Sequence, residues 1–167
     1  MRPMQRFTDN AGRTWVIQIN VAAVKRVRGL LDVDLYNLVA DRFAGLKNLI
    51  ADPVQLIDVV YVLCKAEADA QGISDEQFGT GFSGDTLHAA SQAFLSELID
   101  FFPDPRVRAG IRRVIELTRT VNVHMMDEME ASLSQVDPTA VARRLIASSG
   151  TAPASSELTP DHSPSAN

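Results

Sequence analysis

The chain of 167 residues is long enough for one domain with a buried core and short for two. Its 46% hydrophobic and 22% charged content is that of a globular protein and not a disordered one, and with only 9 glycines and 8 prolines the composition favours helices. A formal charge of -5 gives no general pull toward nucleic acid, and the single cysteine excludes an internal disulfide framework and suits a reducing cytosol.

The first residues carry no apolar run of the kind that follows the start of a secretory signal. The longest apolar stretch, beginning at Val59 and ending at Cys64, falls far short of the roughly 20 residues a membrane span needs. A soluble, cytoplasmic protein is expected.

In chain order, Trp15, Ile17 and Ile19 alternate with Thr14, Val16, Gln18 and Asn20, the period of a half-buried strand. Asp9, Asn10, Ala11 and Gly12 form a turn before it, and Gln5, Arg6, Phe7 and Thr8 supply a partner strand. A hairpin alone is marginal in water, so this one must pack on helices or be completed by another chain. Asn20 caps a helix whose apolar stripe is Val21, Val24, Val27 and Leu31. A second helix follows Asp34, with Leu35, Leu38, Val39, Phe43, Leu46, Leu49 and Ile50 at helical spacing.

Asp52 and Pro53 open a third helix, which is apolar nearly all round through Cys64 and is therefore expected at the centre of the core. Gly72 ends it, and the run Ser74, Asp75, Glu76, Gln77 is a capping box. Next comes a helix with Leu87, Ser91, Phe94, Leu98 and Phe101 on one face, closed by Pro103. Asp104 and Pro105 start a long helix over about 104–135, with the stripe Val107, Ile111, Val114, Thr118, Val121, Met125 and Met129. Asp137 and Pro138 begin a short amphipathic segment with Val141, Leu145 and Ile146. The last stretch, 148–167, is rich in Ser, Pro, Ala and Thr and cannot bury enough to offset the entropy of ordering. The expected fold is thus mainly α: a compact multi-helix domain over 1–147, a short N-terminal β-hairpin within 1–20, and a disordered C-terminal tail over 148–167.

No catalytic set emerges. His88 has no second ligand at metal spacing, and His124 with Glu128 gives two ligands on one helix face where a metal site needs three or four. His162 falls in the tail. Cys64 has no neighbouring base and reads as a small hydrophobe in an apolar helix. The glycines at Gly79, Gly81 and Gly84 lack the preceding strand and the following Lys-Ser/Thr of a phosphate loop. A non-enzymatic protein without cofactor or metal is expected.

Two groups suit a partner instead. Arg108 and Arg112, within the cluster Arg106, Arg108, Arg112 and Arg113, share a helix face and could meet an acidic surface or serve solubility. Met125, Met126 and Met129 form either a deformable docking surface or ordinary core packing.

The order of these elements resembles the tail assembly chaperones of long-tailed bacteriophages and prophages. The likeness lies in the run from Trp15 through Asn20 into Val24, Lys25, Arg26 and Val27, and in Asp52 through Val59. It continues in Gly72 through Phe78, in Gly84, Asp85 and Thr86, and in Phe101, Phe102 and Pro103, so that it spans roughly residues 7 to 121. The resemblance implies a non-enzymatic factor of the host cytoplasm that coats the tape measure protein, keeps it soluble, recruits tail tube protein and leaves before the particle matures. The charge and the short apolar runs, not the resemblance, lead to the expectation of no nucleic acid or membrane partner, and a longer frameshifted form and self-association are compatible with the reading. Two other classes stay open: a virion component such as a head–tail connector or completion protein, and a small host regulatory binding module.

Overall fold

The N-terminal alternation becomes an antiparallel hairpin of β1 (Gln5–Thr8) and β2 (Thr14–Ile17), with Phe7 opposite Trp15 and Arg6 opposite Val16. A computed structural model describes residues 4–135 and 137–149. Trp15, Ile17 and Ile19 all point inward and are buried, as their period requires. The hairpin packs on helices of its own chain, β1 against α5 (Asp85–Phe101) and β2 against α3 (Pro53–Gln71) and α5.

The turn between the strands is held by one carboxylate. Asp9 Oδ1 accepts from the backbone N–H groups of Ala11 and Arg13, both at 2.9 Å, and Oδ2 accepts from Arg13 Nε at 2.7 Å and Trp15 Nε1 at 2.9 Å. Burial would raise the Asp9 pKa, but the hydrogen bonds from Trp15 and Arg13 and the charge of Arg13 outweigh it and hold it below the usual carboxylate value. The same turn docks on the loop before α5: Asn10 donates its backbone N–H to Gly81 O and its side-chain amide to Ser83 Oγ.

Among the described residues there are seven α-helices. α1 (Val21–Leu31) opens on Asn20, whose side chain accepts from Ala23 N. α2 (Ala40–Ala51) follows a 3-10 turn, Asn37–Val39. α3 starts at Asp52 and Pro53 and closes on Gly72 in the left-handed conformation. α4 (Asp75–Gly79) has both bonds of the Ser74/Gln77 capping box. α6 (Pro105–Ser134) and α7 (Pro138–Ser149) complete the chain.

α3 is the centre of the core, as its all-round apolar sequence requires, packing against α1, α2, α4, α5 and β2. An aromatic cluster lies beside it: Phe78 meets Trp15 edge-on at 4.8 Å, Phe82 at 4.8 Å and Tyr61 at 5.3 Å between centroids. No helix among the described residues is long and apolar enough to cross a membrane.

The second helix departs from its expected form. Asp41, Arg42 and Phe43 have φ of 46°, 57° and 64°, the left-handed region that costs a non-glycine residue roughly 1–2 kcal/mol. The excursion breaks the stripe expected to run from Leu35 to Ile50 and turns Phe43 onto α6. A Cβ at Gly110 would stand 2.9 Å from Phe43 Cε2, so the glycine makes room for the ring.

The chain divides into two units, residues 1–121 and 122–167. The expected tail begins at Ser148, but α7 takes in Ser148 and Ser149; residues 150–167, with His162, lie outside the described residues.

Candidate partner-binding face

α6 carries the candidate face. Its start is fixed by Asp104, whose side chain accepts from Arg106 N at 2.8 Å and whose carbonyl accepts from Arg108 N. The apolar stripe then enters the core at Ile111 and Val114, both buried. The Thr118 hydroxyl donates back to Val114 O, so its polar group is satisfied within the helix. Past that point the first unit leaves the stripe open: Leu117 and Val121 are 57% and 54% exposed. With Lys47, Val114 and Thr118 they line a groove of about 280 Å³.

In the second unit the stripe is exposed throughout. Met125, Met126, Met129 and Leu133 stand at 63%, 62%, 56% and 65% exposure. Acidic residues Asp127, Glu128 and Glu130 occupy the remainder of this turn sequence and are also exposed. The three methionines therefore form a surface row; ordinary core packing, the other reading of their spacing, is not what the structure gives. Unbranched thioether side chains at successive helical positions make a surface that can adapt to more than one apolar partner.

Arg108 and Arg112 belong to the first unit and the methionines to the second. Arg108 is half-buried and donates to the Pro103 carbonyl at 3.2 Å, so part of its hydrogen-bonding capacity fastens the start of α6. Arg112 is exposed.

The remaining chemical groups are placed without converging. His88, His124 and Glu128 are exposed on their helices. Among the described residues, no three His, Cys, Asp or Glu side chains gather where a metal ion could be held. Cys64 is buried, and burial followed by the charge of Glu67 pushes its thiol up to about 12.

Two functional details of the hairpin were not read from the sequence. The Val16 N–H donates to Glu67 at 3.2 Å, and its carbonyl accepts from the Cys64 thiol at 3.6 Å. Both groups lie on the side of β2 away from β1, so a strand added along that edge would first have to displace them. Farther along, the Ile19 N–H donates to the buried Glu97.

No protein-family model matches the chain, and neither a curated protein nor a solved structure matches it.

Proposed function

We propose that this chain is a non-enzymatic phage tail assembly chaperone, working in the host cytoplasm, that binds the tape measure protein and recruits tail tube protein. One observation carries the reading furthest: the exposed row Met125, Met126, Met129 and Leu133 on a helix whose earlier turns bury the same stripe. Apolar side chains at successive helical positions and more than half exposed suit an interaction surface. The order of elements that resembles the tail chaperones supplies the identity of the partner.

The physical fit is direct. A tape measure protein is a long helical chain with apolar stripes uncovered until the tube encloses it, and a helical chaperone covers such stripes by laying its own apolar face along them. The chaperone must later leave, which calls for modest affinity per copy and many copies. Methionine meets that need, because it packs on varied partners without demanding one shape. Arg108 and Arg112 would engage acidic positions of the partner.

Co-expression with the largest product encoded beside it tests the reading. The wild-type chain is expected to raise that product's soluble fraction and to co-purify with it, while Met125→Lys with Met129→Lys abolishes both effects and leaves the circular dichroism unchanged. A wild-type chain that neither solubilises nor retains any large helical partner overturns the proposal. Detection of the chain in mature particles would instead favour a virion component.

A further inference from the structure

The methionine row of the second unit lies in a stretch that holds no Lys or Arg. Between Arg119 and Arg143 the sequence places only acidic charges, Asp127, Glu128, Glu130 and Asp137. The first three stand on α6 among the row's own turns and are exposed, and among the described residues none of the three is in an ion pair. Their places around the helix differ. At about 100° per residue counted from Met125, the side chains of Met129, Leu133 and Met126 fall at about 40°, 80° and 100°. Glu128 falls at about −60° and Glu130 at about 140°, so one carboxylate borders each side of the row, whereas Asp127, at about 200°, lies away from it.

An exposed apolar strip with an unpaired carboxylate along each side selects among occupants. A second copy laid row to row would set Glu128 and Glu130 against identical charges, and an anionic bilayer would meet the same repulsion. An amphipathic helix with Lys or Arg on each side of its apolar stripe instead covers the strip and pairs both borders. The lengths agree as well. Residues 125–133 rise about 12 Å, roughly two turns, which matches apolar positions i, i+3 or i+4, and i+7 of a partner helix.

We propose that the row Met125, Met126, Met129 and Leu133 takes a basic amphipathic helix, whose Lys or Arg residues meet Glu128 on one side and Glu130 on the other. Resting on the tail-chaperone reading of this face, the assignment gives the partner segment that docks there a charge and a pattern. The apolar contact supplies affinity with little demand on shape, and the two carboxylates select against acidic helices that carry the same stripe.

Two synthetic helical peptides with the same leucine stripe, one flanked by lysines and the other by glutamates, test it against the full-length chain by fluorescence anisotropy. The lysine peptide is expected to bind at least about tenfold tighter than the glutamate peptide, with the gap narrowing as salt rises. Glu128→Lys with Glu130→Lys should reverse the preference, while Asp127→Lys, a charge reversal away from the row, should keep it. Should the double lysine variant unfold, Glu128→Gln with Glu130→Gln removes both charges and adds none, and should bring the two peptides within about twofold of each other. The inference is overturned if the folded chain does not bind the lysine peptide, or binds both peptides equally. It is overturned as well if the preference survives the loss of Glu128 and Glu130, or if vesicles of phosphatidylserine bind the row more tightly than the lysine peptide does. Each of these outcomes leaves the chaperone reading intact where the wild-type chain still solubilises its co-expressed partner. If it does not, while the lysine peptide binds as expected, the chaperone reading fails alone and the basic helix belongs to another protein.

Discussion

α3 and α6 open on the same Asp-Pro signal and share no further fate. α3 buries eight of its 19 residues: Leu56, Ile57, Val59, Val60, Val62, Leu63, Cys64 and Ala68. α6 buries Ile111 and Val114 out of 30. The opening signal is local, since a capping carboxylate and a proline at the first turn act on whichever backbone groups lie next to them. Burial is decided by the side chains that follow. Apolar residues all round α3 admit neighbours on every side, whereas one stripe on α6 admits one, and after Val114 that stripe is left exposed. A helix that forms on local signals and covers only part of its stripe has apolar area to offer a partner.

The strongest way to break this contrast is to place the same charge on both helices. Val60→Asp in α3 puts an unpaired carboxylate in a fully buried site and is expected to cost about 4 kcal/mol or more, enough to unfold the first unit. Val121→Asp in α6, at a 54% exposed position, is expected to change stability by no more than about 0.5 kcal/mol. Thermal unfolding followed by circular dichroism checks both, and equal losses would show that the outer stretch of α6 is covered.

A smaller effect tests how the hairpin is seated against α3. Asp9→Ala removes the acceptor for Trp15 Nε1 and Arg13 Nε and leaves the buried indole N–H unpaired, an expected loss of about 2–3 kcal/mol in urea unfolding. Its pH dependence has a fixed sign. The folded pKa of Asp9 is lowered from the ordinary 3.8, so the carboxylate stabilises the fold fully above that value and loses the contribution as pH falls through the folded one. The gap between wild type and Asp9→Ala should therefore narrow on acidification below about pH 4; a gap that widens there would contradict the assignment.

Gly110 sharpens the contrast at the place where α6 still belongs to the core. Gly110→Ala drives a methyl group into the Phe43 ring and is expected to cost about 1–3 kcal/mol of overpacking, less the helix propensity that alanine gains. Gly29→Ala in α1 is the control, because nothing lies within 4 Å of a Cβ there, and it should stabilise by roughly 0.5–1 kcal/mol. If both alanines stabilise, Phe43 does not pack on α6.

What could be read in the sequence follows the reach of each interaction. Caps were legible at Asn20, Asp52, Gly72 and the Ser74/Gln77 box because a cap joins residues a few positions apart. The inward faces of Trp15, Ile17 and Ile19 and the central place of α3 followed from periodicity alone. The left-handed run Asp41–Arg42–Phe43 was not legible, since three non-glycine residues at positive φ run against local preference, and the glycine that admits the Phe43 ring lies far along the chain on another helix. Asp9 was read as a turn residue; the signal for more was Trp15, whose indole N–H needs an acceptor once the ring is buried. The candidate face was half legible: spacing put Met125 and Met129 on one stripe, but exposure depends on what lies opposite, which spacing does not contain. Arg108 and Arg112 fall in the first unit and the methionines in the second, a division that spacing along one helix does not contain.

The smallest expected effect is also the most discriminating. Met125→Lys with Met129→Lys replaces two side chains that are 63% and 56% exposed by residues of nearly the same helix propensity. The new lysines stand four positions apart and repel each other by roughly 0.2–0.5 kcal/mol, and Glu128, three positions after residue 125, offsets part of that. The melting temperature of the isolated chain should therefore stay within about 2 °C of wild type, on the scale where about 1 kcal/mol moves a domain of this size by a few degrees. Against a partner the same pair removes two adaptable apolar side chains and adds two strongly hydrated charges to the middle of the face, where desolvating a charge opposes binding. Loss of partner binding at unchanged stability would place the work of the methionines outside the fold. A drop of many degrees would mean that they are covered in the chain itself, and the difference between α3 and α6 would be one of degree.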